Sequence, residues 1–269
     1  MNSKLIHSRV ALSVSESPDQ EMLGFGKQHT HDASIELATQ LLSLSAELSY
    51  GGDLRPSGLT FELINVAYRY RENEALAHRR PALTNFLAWP VYVSFSDESL
   101  IERLSLDQRI VQTSFLGIDG SLQKQFSISA RERFVPTPEQ WRRGLSSMRR
   151  YSNSHMTARV VMGGAVDNYK GVMPGIAEEA LLALEARKPL FLIGGLGGCA
   201  RDICENMGLC KPAQNQRNWP SRGRFSGQNV RYLNNGLSDE EKVILANTVF
   251  VEEASVIIMR GLIRLAGNG

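Results

Sequence analysis

Cysteine is scarce in this chain: three residues, Cys199, Cys204 and Cys210, in 269. Their spacings of five and six positions fit no zinc or haem pattern, and no histidine lies near them. An odd, small count argues against a disulfide framework and for a reducing, cytoplasmic setting. No apolar run approaches the ~20 residues of a membrane span, and the first residues, MNSKLIHSRVALSVSES, are too short and too polar to read as a signal peptide. Charge of one sign is also missing. Thirty Lys and Arg against 28 Asp and Glu leave +2, so electrostatics supplies no case for a nucleic-acid or membrane-surface partner. The five histidines, His7, His29, His31, His78 and His155, form no nucleophile–base pattern, and G-x-S-x-G does not occur. No metal or cofactor is called for.

What the chain has is apolar runs that end in glycine. Residues 158–202 read ARVVMGGAVDNYKGVMPGIAEEALLALEARKPLFLIGGLGGCARD. An apolar run over 158–162 stops at Gly163-Gly164, a loop through Gly171, Pro174 and Gly175 opens a helix over 176–186, and a second run over 189–193 stops at Gly194-Gly195-Leu196-Gly197-Gly198. Glycines after parallel strands let the backbone approach a ligand, and the following helix offers free N–H groups and a positive dipole end. Neither cluster is G-x-G-x-x-G or G-x-x-x-x-G-K-[ST], so the alternative, glycines that merely turn the chain, stands beside a phosphate cradle.

The same device recurs upstream. Residues 9–14 and 47–50 read as strands, the latter ended by Gly51-Gly52-Asp53; 30–45 and 61–74 read as helices, and 89–95 (WPVYVSF) as a third strand. A further strand is expected within 108–118, a helix from Thr137 to about 151, and a capping box at Ser238–Glu241 opening a helix to about 250, followed by one over 254–265. Residues 211–236 read as a long polar loop. The alternation predicts an α/β, Rossmann-like open parallel sheet with helices on both faces plus C-terminal helices: one domain over 1–269 with its core at about 9–203.

In such a sheet ligands sit beyond the carboxyl ends of the strands. That places Ser15 and Glu16, Gly51, Gly52, Asp53 and Arg55, Gly163 and Gly164, Gly171 and Gly175, and Gly194, Gly195, Gly197 and Gly198 at one edge. Asp53 either accepts a ribose hydroxyl or closes its own turn. Arg55 is either a bidentate phosphate donor or a surface residue. Glu178 and Glu179 either stabilise their helix N-terminus or, with Glu16, supply a ribose contact or general base. Arg142, Arg143, Arg149 and Arg150 form either a solvated helix face or a phosphate contact.

Taken together, SESPDQEMLGFG at 15–26, SYGGDLRPSGLT at 49–60, VVMGG at 160–164, GVMPGIAEEALLAL at 171–184 and PLFLIGGLGG at 189–198 resemble the SLOG superfamily, named from the DprA/Smf proteins and the LOG cytokinin-activating enzymes. The similarity is greatest to the prokaryotic branch related to the N-terminal region of TRPM channels. The resemblance implies a Rossmann-like fold and a nucleotide-derived ligand: ADP-ribose, an NAD-derived signal or a cyclic nucleotide. It also implies a place in anti-phage defence beside an effector protein; a homo-oligomer is expected. The LOG branch hydrolyses nucleoside monophosphates with a P-G-G-x-G-T-x-x-E loop. Pro174-Gly175-Ile176-Ala177-Glu178-Glu179 lacks its second glycine and its Gly-Thr pair, so binding is the expected inheritance and hydrolysis the alternative. A third alternative is a structural module with a vestigial pocket.

Overall fold

The computed structural model describes residues 5–26, 28–52, 58–72, 80–94, 107–123 and 134–267. Among them six strands form one sheet: β1 (Arg9–Ser15), β2 (Glu47–Gly51), β3 (Leu83–Ala88), β4 (Val111–Leu116), β5 (Ala158–Gly163) and β6 (Leu190–Ile193). Every pairing is parallel, in the order β4-β3-β2-β1-β5-β6. β3, β5 and β6 are buried throughout, because both faces of the sheet are covered there, whereas the edge strand β4 is only partly buried. On β1, Val10, Leu12 and Val14 join one core with Leu37 and Leu41, whereas Ala11 belongs to a second core with Val161, Ile176 and Leu181.

The first core lies under α1 (Gln28–Ser43) and α2 (Leu59–Glu72). The opposite face carries α4 (Pro138–Ser154), α5 (Gly175–Glu185) and α6 (Gly198–Asn206). Thr137 caps α4 reciprocally with Gln140.

The expected third strand over 89–95 is corrected. The strand is β3, which is buried throughout, and Trp89–Val93 is a short helix, α3. Pro90 is the reason: it has no N–H for a central ladder, and its fixed φ suits the first helical turn where it sits. Phe95 lies outside the described residues.

The C-terminal helices are α7 (Asp239–Asn247) and α8 (Val251–Gly267). α7 ends before 250 and α8 begins before 254, so the two helices are separated by only Thr248, Val249 and Phe250. α8 packs on α1, and its Ile257, Ile258 and Leu262 enter the first core. Within 211–236 the chain forms two short 3-10 turns, Arg222–Phe225 and Val230–Leu233, and buries Trp219, Phe225 and Leu233. Among the described residues no helix is long and apolar enough to cross a membrane.

Glu241 closes the Ser238 capping box and also holds α8, accepting from Arg264 Nη1 at 2.6 Å and Arg260 Nη1 at 2.8 Å. Arg264, Arg260 and the Ser238 N–H pull its carboxyl from 4.5 to about 2. A depressed folded-state value stabilises the fold above the unfolded value, and that contribution is lost as pH falls through the folded one. Between pH 4.5 and about 2, acid unfolding of Glu241→Gln should therefore show a shallower stability slope than the wild type. Identical slopes would show that these arginines do not perturb Glu241.

Candidate functional site

From β1 the sheet grows one way through β2, β3 and β4, and the other way through β5 and β6. The crevice between β1 and β5 at their carboxyl ends is thus the point where strand order reverses, the place at which open α/β sheets bind ligands. Ser15 pairs with Gly163 there. The Gly164 N–H donates to the Ser15 carbonyl at 2.9 Å, and the Gly164 carbonyl accepts the Cys199 N–H at 2.9 Å. Gly163 and Gly164 have φ of +66° and +102°. A Cβ on Gly163 would stand 2.4 Å from the Ser15 carbonyl oxygen, and one on Gly164 2.7 Å from Ile176 Cδ1. These two glycines let β1, β5, α5 and α6 converge on one spot.

A cleft of about 320 Å³ opens at this point, lined by residues including Ser13, Ser15, Gly51, Arg149, Gly175 and Glu179. Behind it lies an ionic network. Arg149 Nη1, from α4, pairs with Glu178 Oε2 at 2.5 Å, and Arg149 Nε lies 3.7 Å from Glu179 Oε1. Arg159 Nη1, from β5, donates to Glu179 Oε2 at 2.7 Å and to Ser13 Oγ at 2.5 Å; Ser13 Oγ in turn donates to Glu179. Arg159 is 2% exposed, its Nε and Nη2 have no partner, and burial pulls its pKa down.

Gly171 and Gly175 serve this network. A Cβ on Gly175 would stand 2.5 Å from Arg149 Nη2, and one on Gly171 2.9 Å from Arg149 Nη1. Their small size admits the guanidinium to Glu178. Both carboxylates of the pair approach Arg149, but only Glu179 lines the cleft, as adjacent helical positions must diverge. Lys170 Nζ sits 3.7 Å from the centre of the Trp141 ring at the cleft's outer side.

The remaining expected site residues fall in three places. Ser15 is the last residue of β1 and Glu16 follows it, both exposed. Gly51 faces Met148 and Glu179, whereas a Cβ on Gly52 would stand 2.2 Å from Asn85 Oδ1. Asp53 and Arg55 lie outside the described residues. The second glycine loop is engaged within the protein. A Cβ on Gly194 would stand 2.6 Å from the Ala246 carbonyl oxygen, and one on Gly195 1.9 Å from that of Thr248. Gly197 and Gly198 have φ of +78° and +68°, and the Gly198 N–H donates to Asp19 Oδ2 at 2.7 Å.

Of the basic cluster, Arg149 is buried in the network, while Arg142, Arg143 and Arg150 are exposed. Arg159, Trp141 and Lys170 carried no site expectation. Arg159 left a signal nonetheless: a cation inside an otherwise apolar strand needs a buried partner. All three cysteines are free and buried. Burial, followed by the nearby Asp202 charge, pushes the Cys199 thiol up to about 12, so it is no nucleophile. Among the described residues no three His, Cys, Asp or Glu side chains are grouped to hold a metal.

An all-parallel sheet with a cleft at its switch point defines a Rossmann-like α/β protein. The family model described as SLOG cluster2 matches residues 4–222, which takes in all six strands and the whole cleft, and the chain belongs to the SLOG superfamily. Membership points to a nucleotide-related function. A comparison with curated proteins returns no match.

Proposed function

We propose that this protein binds a nucleotide-derived ligand in the cleft at the β1–β5 crevice and acts as a sensor of it. The observation that carries this reading is the convergence on one cleft of Arg149, Lys170 and the start of α5. Two cations and the first-turn N–H groups of a helix are a phosphate's natural partners. Trp141, Tyr50 and Tyr169 supply flat apolar surface for a base or sugar in the same cleft. The resemblance to the TRPM-related branch favours ADP-ribose, an NAD-derived signal or a cyclic nucleotide, in the cytoplasm, with an effector protein as partner in phage defence and a homo-oligomer as the working form.

Hydrolysis is the second reading, favoured by one observation: Glu179 lines the cleft. Against it, Glu179 accepts from Ser13 and Arg159, and Glu178 is held by Arg149, so both carboxylates already have donors. The loop through Pro174-Gly175-Ile176 also lacks the glycines of the hydrolytic branch.

Thermal shift and chromatography with AMP, NAD and ADP-ribose separate the readings. A sensor is stabilised, by about 2.7 kcal/mol at 100-fold excess over Kd, and returns the ligand intact. Glu179→Gln, which also loses the Arg159 ion pair and with it stability, should still return the ligand intact. Release of free base from AMP by the wild type, lost in Glu179→Gln, would establish the hydrolase; no shift with any nucleotide would remove both readings.

A further inference from the structure

Two of the three cysteines meet. Cys204 lies near the end of α6, and Cys210 follows just beyond it. Between them the chain reverses at Gly208, whose φ is +75°. The Gly208 N–H donates to the Glu205 carbonyl at 3.1 Å and the Leu209 N–H to the Cys204 carbonyl at 2.9 Å, the paired bonds of a Schellman turn. The turn folds Cys210 back onto Cys204. Arg201 spans it, with Nε donating to Glu205 Oε1 at 3.0 Å and Nη2 to the Lys211 carbonyl at 3.1 Å. Both sulfurs converge on one spot between β6 and α7. A Cβ on Gly194 would stand 3.0 Å from Cys204 Sγ and 2.6 Å from the Ala246 carbonyl oxygen. That same oxygen accepts from Cys210 Sγ at 3.2 Å. The Cys204 thiol in turn donates to the Cys210 sulfur.

We propose that Cys204 and Cys210 are a reversible disulfide site, oxidised by a small hydroperoxide, and that its closure loosens the end of α7 over the second glycine loop. The inference is independent of what the cleft binds. It also fits a reducing setting, where disulfides are transient and sense oxidants. Cys210 is the sulfur that reacts first, being 6% exposed where Cys204 is 0%. The bond from Cys204 holds the Cys210 thiol below its usual value despite burial, with help from the Arg201 charge; the same bond, then burial, pushes Cys204 well up. The thiolate is the nucleophile. With hydrogen peroxide, the Cys210 sulfur attacks one oxygen, the O–O bond breaks, and the other oxygen takes a proton and leaves as water. Cys210 is then a sulfenic acid. The Cys204 sulfur attacks it, the S–O bond breaks, and the second oxygen leaves as water with the Cys204 proton. The pair has lost two hydrogens and two electrons, and the peroxide has become two waters. The disulfide keeps no proton for the Ala246 carbonyl, which loses its Cys210 donor. Ala246 lies in the last turn of α7, and the next residues, Asn247 and Thr248, cover Gly195.

The test treats the full chain with hydrogen peroxide, blocks the remaining thiols in denaturant and maps the peptides by mass. Three free thiols should fall to one, Cys199, with Cys204 joined to Cys210, and dithiothreitol should restore all three. Amide exchange over 245–248 should quicken in the oxidised chain by up to about tenfold, the worth of one hydrogen bond. Cys210→Ser, which keeps a donor for Ala246, should form no disulfide and keep its exchange unchanged under peroxide. Cys204→Ala should stop at the sulfenic acid on Cys210, trapped by dimedone. Three thiols that survive peroxide in the folded chain, or a disulfide that takes in Cys199, would overturn the site. A Cys204–Cys210 disulfide with unchanged exchange over 245–248 would overturn its link to α7.

Discussion

Replacing Arg159 by methionine should destabilise the protein by about 3–5 kcal/mol, the range for removing one partner of a buried ion pair. The cost arises on Glu179. With Arg159 gone, its carboxylate keeps only the Ser13 hydroxyl and an Arg149 nitrogen 3.7 Å away, too long for a hydrogen bond. Methionine replaces much of the aliphatic volume, so lost packing contributes little. Arg159→Met/Glu179→Gln should recover most of the loss, because exchanging a whole buried pair for neutral groups is often close to neutral. Urea unfolding of the wild type, both single variants and the double variant gives the coupling directly. A single-variant loss under about 1 kcal/mol would mean that the desolvation of Arg159 cancels its pairing; its two unpartnered nitrogens make that cost real. The resemblance to a binding fold gives no reason to bury a guanidinium, but the position of Glu179 does: the pair holds a carboxylate in one place at the cleft.

Local pattern made the fold legible where chemistry is local. The β1, β2, β5 and β6 strands announce themselves by apolar runs that end in Ser15, Gly51, Gly163 and Gly194, and the capping boxes at Thr137 and Ser238 fix two helix starts to the residue. The Trp89–Val93 stretch misled because its residues have strand propensity; Pro90 was the decisive residue, and Leu83–Ala88, with Thr84 and Asn85 inside it, hid a fully buried strand. The candidate site was legible as an edge of the sheet but not as a set of contacts. Gly163 and Gly164 stand at the crevice as their place after a strand implies. Which guanidinium meets which carboxylate is a matter of register between α4, β5 and α5, and no spacing along the chain encodes it. Arg149 reads as one of four arginines on a helix until the two glycines that admit it, Gly171 and Gly175, are seen in place. The second glycine loop differs from the first in what lies above it: α7 and its exit cover Gly194 and Gly195, and only tertiary structure reveals that cover.

That cover makes Gly195→Ala the most disruptive of the small substitutions. The added Cβ would stand 1.9 Å from the Thr248 carbonyl oxygen, 2.5 Å from its carbon and 2.9 Å from the Asn247 oxygen. All three are backbone atoms, so no rotamer change can relieve the overlap, and the link between α7 and α8 must move as a unit. α8 carries Ile258 and Leu262 into the core beside α1, so the movement strains packing far from the substituted residue. We expect a loss of about 3 kcal/mol or more, the upper range for overpacking, which corresponds to roughly 6–12 °C in Tm for a chain of this size. Gly223→Ala is the matched control: nothing lies within 4 Å of its added Cβ, so it should stay within about 0.5 kcal/mol of wild type. Nucleotide titration of Gly195→Ala well below its Tm separates packing from ligand contact. Gly195 does not line the cleft, so the folded variant should bind AMP with wild-type affinity. A variant that keeps its Tm but loses the nucleotide would instead put the Gly195 backbone against a phosphate, and would mean that the α7–α8 link lifts away when ligand binds.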